Sequence, residues 1–187
     1  GYQYHDPTIV GFSHTHLSGT GHSDLGDILI MPATGQLKLN PGRAGTPDEG
    51  YRSRFSHDTE VARPGYYEVE LADYGIKAQL TATQRVGIHK YTFPDNADGH
   101  IILDLIHGIY NYDGKTLWAN LRVENDTLLT GYRITNGWAR TNYTYFAISL
   151  SQPIKDYGYT DKGKALYKGF WRRFNTCLLY TSPSPRY

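Results

Sequence analysis

Two histidines stand one residue apart in GFSHTHLSGTG, Gly11 to Gly21. In an extended segment His14 and His16 face the same side, because strand side chains alternate with period two. That arrangement suits a metal, with His22 and His57 as further imidazoles and Asp24 and Asp27 as oxygen donors. It equally suits hydrogen bonding to sugar hydroxyls or to loop backbone. An H-x-H pair alone does not choose between metal, ligand and structure. A second stretch, RFSHDTEVARPGYY from Arg54 to Tyr67, repeats the Ser-His pair and sets Glu60 ahead of a Pro-Gly turn. Glu60 serves as a general acid only if its surroundings raise its pKa; otherwise Asp58 and Glu60 cap and solvate a loop. A third, TQRVGIHKY, carries Arg85 and His89 four apart and so on one strand face. A guanidinium beside an imidazole can grip hydroxyls or a carboxylate, or can simply decorate the solvent side.

Several chemistries lack their signatures. The chain has no Gly-x-Ser-x-Gly elbow, no phosphate-cradling glycine loop and no His-Glu-x-x-His. GTGHSDLG lacks the strand-helix unit of a dinucleotide fingerprint. Glycoside hydrolysis requires two carboxyl groups about 5–5.5 Å apart for retention or ~6.5–9.5 Å for inversion, and no acidic pair here is singled out by its neighbours. The net charge of +1 argues against a nucleic-acid binder. No apolar run approaches the roughly 20 residues that span a bilayer.

The elements that must position these groups read as strands. Tyr67, Val69 and Leu71 alternate with Glu68 and Glu70, and Ile76, Ala78, Leu80 and Ala82 alternate with Lys77, Gln79 and Thr81. Asp73 and Gly75 supply the turn between them. Val86, Ile88, Tyr91 and Phe93 extend the pattern until Pro94 opens a loop. HIILDLI reads as a buried strand, and LWANLRVEND, LLTGYRITNGW and YTYFAISLS follow at intervals of about ten residues. With 17 tyrosines, 20 glycines and one methionine, composition leans the same way. The expected fold is all-β, an antiparallel β-sandwich with long N-terminal loops and little helix. MPATGQLKLNPGRAGTPDEGYRSRFSHDTEVARPGYY reads as mostly loop, and TDKGKALYKGFWRRF is the one weak helical candidate. At 187 residues one domain is expected.

The close, CLLYTSPSPRY, breaks with what precedes it and resembles the translation of a sequencing adapter. Residues 1–176 are therefore expected to form the domain, and 177–187 to be a non-native tail that is set aside from the fold. The sole cysteine, Cys177, lies in that tail, so residues 1–176 can hold neither a disulfide nor a thiolate zinc site. No signal-peptide pattern precedes Gly1.

Taken together, GFSHTHLSGTGHSDLGDILIMP (11–32), FSHDTEVARPGYYEVEL (55–71), LTATQRVGIHKYTFP (80–94) and GYRITNGWA (131–139) resemble glycoside hydrolase family 92, the exo-acting α-mannosidases. The resemblance implies the N-terminal β-sandwich domain of an inverting, calcium-dependent enzyme that removes terminal α-linked mannose from glycans. It implies a fragment, incomplete at its N-terminus, inactive alone, and lacking the (α/α)6 barrel that supplies the catalytic acid and base and most calcium ligands. No catalytic or metal-ligating residue is expected within the chain. The resemblance places Ser13, His14, His16 and Ser18 at or just behind the sugar pocket. His57 and Glu60 support the same end, and Arg85, His89 and Phe93 are candidates for sugar contact or for holding the residues that make it. Phe93, Trp118 and Trp138 suit stacking on sugar or packing in a core. The implied partners are α-mannosides, N-glycan mannose included, and the barrel domain of the same chain, with no nucleic acid and no membrane span. The implied address is secreted, periplasmic or cell-surface. Two other readings remain: a stand-alone carbohydrate-binding module, which would bind mannosides unaided, and a His-based metalloprotein.

Overall fold

The computed structural model describes residues 3–16, 25–110, 112, 114–158 and 160, and the backbone of 159, 161, 164–165, 171–172 and 178–183. In chain order the strands are β1 (Thr8–Ile9), β2 (Leu29–Thr34), β3 (Ser53–Arg54), β4 (Val61–Arg63), β5 (Tyr66–Leu71), β6 (Ile76–Ala82), β7 (Gly87–Thr92) and β8 (Gly99–Asp104). They continue with β9 (Thr116–Asn125), β10 (Leu128–Thr135), β11 (Asn142–Ser149), β12 (Ile154–Asp161), β13 (Lys164–Ala165), β14 (Trp171–Arg172) and β15 (Leu178–Pro183). Among the described residues the only helical pieces are 3-10 turns at Pro47–Glu49 and His57–Thr59. The chain has the all-β sandwich class expected from its alternation, with β9–β10–β11, β12–β15–β8 and β5–β6–β7 paired antiparallel.

The chain divides into two compact units, and the division falls inside β2 and inside β8. One unit takes Phe12–Ile30 and Ile101–Tyr187. Within it β9, β10 and β11 form a meander in the order β11-β10-β9-β14. Ala119, Leu121 and Leu129 are buried on one side of that sheet, together with Arg133 and Thr135 from the same side of β10. The second unit takes Tyr2–Gly11 and Met31–His100. It holds the meander β4-β5-β6-β7 and the short pair β1-β3. Val69, Leu71, Ile76 and Ala78 are fully buried, the inward set that period two assigns to β5 and β6. Gly75 at φ 61° makes the turn between those strands, a left-handed position that suits glycine. Tyr51 is buried as well, and its carbonyl accepts the Tyr74 hydroxyl at 2.9 Å.

Two expectations need correction. MPAT, read as loop, is the second half of β2, with Met31, Pro32 and Ala33 buried. Pro32 lacks a ladder donor, and β2 tolerates it by lying at the edge of the sheet ordered β13-β12-β15-β8-β2. The helical candidate carries strand instead: Thr160 and Asp161 end β12, and β13 and β14 follow. Its other residues lie outside those described. The closing segment, set aside from the fold, contributes β15, whose backbone pairs with both β12 and β8.

Gly131 in β10 sits where three strands crowd. A Cβ there would lie 2.3 Å from the Asn120 carbonyl oxygen of β9 and 2.5 Å from the Phe146 ring of β11. The carbonyl belongs to backbone and cannot move aside cheaply. Gly131→Ala is therefore expected to cost about 1–3 kcal/mol through overpacking. Gly45, with nothing within 4 Å of a built Cβ, supplies the near-neutral control. Thermal melting of both variants checks this, and equal melting temperatures would overturn it.

Candidate functional site

The histidine-bearing segment is shaped by a turn at its far end. Leu25 (φ 79°), Gly26 (φ 75°) and Ile28 (φ 55°) all occupy the left-handed region. For a β-branched residue such as Ile28 that is a strained conformation, costing about 1–3 kcal/mol. It persists because neighbours on every side fix it. The His14 amide donates to the Asp27 carbonyl at 3.1 Å and the Gly26 amide to the Thr15 carbonyl at 2.6 Å. His14 Nδ1 reaches the Ile28 carbonyl at 2.7 Å. The Thr15 hydroxyl donates to the Asp27 carboxylate at 2.7 Å and accepts from the Asp27 amide at 2.9 Å.

Asp27 in turn faces a buried arginine. Its Oδ1 lies 3.3 Å from Arg133 Nη1, with the two side chains 2% and 0% exposed. Arg133 also donates to the carbonyls of His107 and Ile106 and to the Thr116 hydroxyl. Asp104 caps the stretch those carbonyls come from, accepting the Ile106 and His107 amides at 2.8 and 2.9 Å. Burial pushes the Arg133 pKa down, while Asp27 and Asp104 oppose that loss. Asp27, an oxygen donor for a metal on sequence grounds, is thus committed to holding the loop.

His14 and His16 do not act as a pair. His14 bonds to the Ile28 carbonyl, whereas His16 Nε2 turns back on Ser13, 3.0 Å from both its hydroxyl and its carbonyl. The segment bends rather than extends, so the same-side argument fails. Ser18, His22 and Asp24 lie outside the described residues.

In the second unit, His57 and Glu60 form the closest acid–imidazole contact. His57 opens a 3-10 turn behind Ser56, whose hydroxyl accepts the Asp58 amide at 3.2 Å. One turn later Glu60 Oε2 meets His57 Nδ1 at 2.5 Å, and Glu60 Oε1 accepts the Tyr67 hydroxyl at 2.7 Å. His57 Nε2 donates to the Tyr4 carbonyl at 2.8 Å, and the two rings stack 4.1 Å apart. The Glu60 bond, then the Tyr4 carbonyl, raises the His57 pKa above its usual 6.5. Nearby, Lys77 at 2.6 Å, with Tyr66 and Gln79, holds Glu68 down at about 2. Glu68 is therefore ionised at neutral pH and no proton donor. Both Glu60 oxygens are engaged by protein groups, which makes Glu60 an anchor for the N-terminal segment.

The remaining candidates stand apart. Arg85 is exposed in the β6–β7 turn closed by the Thr83 amide and Val86 carbonyl, so it precedes β7 and shares no strand face with His89. His89, on β7, hydrogen-bonds with the Tyr91 hydroxyl at 2.6 Å. Phe93 packs against Gly99, Trp118 is half-buried on β9, and Trp138 is 80% exposed. Sequence reasoning missed Arg133, Thr15, Tyr67 and Tyr4. Calcium takes six to eight oxygen ligands, and among the described residues no group of three or more His, Cys, Asp or Glu is gathered. The described residues therefore gather no carboxylate set of the kind that holds calcium.

Comparison with known proteins identifies the family of the fold. A family 92 α-mannosidase from Bacteroides thetaiotaomicron, solved with mannoimidazole, is 40% identical with a TM-score of 0.88, covering 98% of this chain and 25% of that one. A family 92 inverting mannosidase from Bacteroides thetaiotaomicron VPI-5482 is 26% identical with a TM-score of 0.74, covering 98% of this chain and 23% of that one. An uncharacterized secreted glycosidase of Arthroderma benhamiae is 31% identical over 98 residues, 51% of this chain and 12% of its own length. The fold is thus that of a β domain within larger glycoside hydrolases. Residues 1–176 match the Glycosyl hydrolase family 92 N-terminal domain, and the chain belongs to that family. It spans about a quarter of the length of the solved relatives.

Two outcomes follow from the geometry. Asp27→Ala leaves the Arg133 charge buried without its carboxylate and is expected to cost about 3–5 kcal/mol. Thr15→Val removes hydrogen bonds alone, one of them to a buried carboxylate, and should cost about 1.5–3 kcal/mol. Urea denaturation orders the two, and a Thr15 variant as damaging as the Asp27 variant would refute the assignment. For His57, a raised folded pKa adds stability that is fully present below pH 6.5 and lost as pH rises through the folded value. NMR titration of His57 should give a midpoint above 6.5 that drops in Glu60→Gln, with the Tyr4 ring resonances following the same curve. A midpoint at or below 6.5 contradicts the clamp.

Proposed function

We propose that this chain is the N-terminal domain of a calcium-dependent, inverting exo-α-mannosidase that releases terminal α-linked mannose from glycans. The observation that carries this reading is the family match across residues 1–176, supported by 40% identity to an α-mannosidase over 98% of the chain. An inverting mannosidase of the same family adds to it at 26% identity. Under this reading the acid, the base and the calcium ligands come from polypeptide outside the chain, an (α/α)6 domain that completes the sugar pocket. The chain's own residues bind and orient. Ser13, His14, His16 and Ser18 serve the sugar side, with His57, Glu60, Arg85, His89 and Phe93 as further contacts or supports. Calcium, when held by that other domain, supplies Lewis-acid polarisation and orientation of the sugar.

The engaged state of the described groups supports a positioning role. His14, His16, His57 and Glu60 all bond to protein atoms, which fixes their rotamers before any substrate arrives. The family match covers residues 1–176, and we take 177–187 as foreign to the domain. A secreted address is part of this reading, and the Arthroderma benhamiae relative is named a secreted glycosidase.

Incubation with an α-linked mannobiose tests this reading. The chain alone is expected to release no mannose. The complete polypeptide is expected to release it with inverted anomeric configuration by proton NMR, and to stop when calcium is chelated. Mannose release by the chain alone, or none by the complete polypeptide, would overturn it.

A further inference from the structure

The side of β9 opposite the buried Ala119 and Leu121 carries a different chemistry. Alternation places Trp118, Asn120, Arg122 and Glu124 together there. Register then builds rows across the sheet. Asn120 pairs with Tyr132 and Tyr132 with Tyr145, while Arg122 pairs with Thr130. These residues line an open groove of about 630 Å³ in the first unit, within the roughly 300–1,000 Å³ usual for small-molecule sites.

Aromatic surface and polar groups are interleaved in the groove. The Tyr132 and Tyr145 rings lie 5.6 Å apart, and Tyr145 is 72% exposed. Arg122 Nε is 3.1 Å from Glu124 Oε2, and the Thr130 hydroxyl donates to Glu124 Oε1 at 2.6 Å. The two charges cancel, so the groove has no net pull on a phosphate or another ion. Nor does β9 offer a free edge to a peptide strand, since it pairs with β10 on one side and β14 on the other. The groove does offer ring faces for the C–H side of a pyranose. It also offers an amide and phenols that both donate and accept, as sugar hydroxyls require.

We propose that this face of the β9–β10–β11 sheet binds a neutral oligosaccharide. The choice of glycan as ligand class rests on the mannosidase reading above, whereas the site rests on the groove's own residues. Tyr145 supplies an exposed stacking surface, and Asn120 with Arg122 supplies the polar rim.

The test is titration of the full chain with α-mannotriose and with cellotriose, followed by amide chemical shifts and calorimetry. Saturable shifts centred on β9, β10 and β11 are expected with at least one sugar. Tyr145→Ala and Asn120→Leu should each weaken binding about ten-fold, a change of about 1.4 kcal/mol, with an unchanged circular dichroism spectrum. The proposal is overturned if neither sugar binds, if the shifts map elsewhere, or if both variants bind as tightly as the parent. It is overturned too if the same resonances move with protein concentration alone, which marks contact between copies of the chain. Failure of the mannosidase reading is told apart by the activity of the complete polypeptide, which this titration does not use.

Discussion

A buried arginine needs partners for its planar fork of donors, or its burial costs more than a fold can bear. Arg133 finds them in the Asp27 carboxylate, the carbonyls of Ile106 and His107, and the Thr116 hydroxyl. These partners come from three separate stretches of chain, so one side chain ties β10 to the loop after β8 and to the turn before β2. The turn is itself strained, with Ile28 in left-handed backbone, and strain of that kind survives only where surroundings over-determine it. Thr15 and His14 complete the restraint through Asp27 and the Ile28 carbonyl. The turn at Leu25–Ile28 is thus held by an ion pair on Asp27 and by imidazole and hydroxyl contacts from His14 and Thr15.

The second unit solves a similar problem with different means. Glu60 immediately precedes β4 and Glu68 lies within β5, and both are acids beside hydrogen-bond donors. Lys77 makes Glu68 a firmly ionised surface anchor. Glu60 faces an imidazole, whose charge depends on pH, and that imidazole carries Tyr4 on its flat side. One carboxylate belongs to a permanent pair and the other to a conditional one. The difference is set by which cation the neighbouring element presents.

Strand positions were legible because burial on one face forces period two, and β5, β6, β9, β10 and β11 all show it. The Asp73–Gly75 turn was legible because left-handed backbone selects glycine. Pro32 misled, since proline argues against strand except at an edge, and edge position is a property of the sheet and not of the segment. Histidine spacing misled for a related reason. The reading of His14 and His16 assumed an extended backbone, whereas the turn at Leu25–Ile28 lies ten residues downstream and bends it. The four-residue spacing of Arg85 and His89 assumed one continuous strand, but a turn closed by Thr83 and Val86 holds Arg85. Arg133 did leave a trace: a charge between Gly131 and Thr135, on the face where β10 should be apolar, signals a buried partner. Nothing in the spacing names Asp27, more than a hundred residues away.

Gly131 pairs with Leu121 and Phe146, so a side chain there would enter the buried side of the sheet, where the Phe146 ring already fills the space. The ring of one strand thus serves as the missing side chain of the next. The two positions are bound to change together, because a larger residue at 131 calls for a smaller one at 146. Tyr145 and Arg122 project from the opposite side and stand outside that coupling.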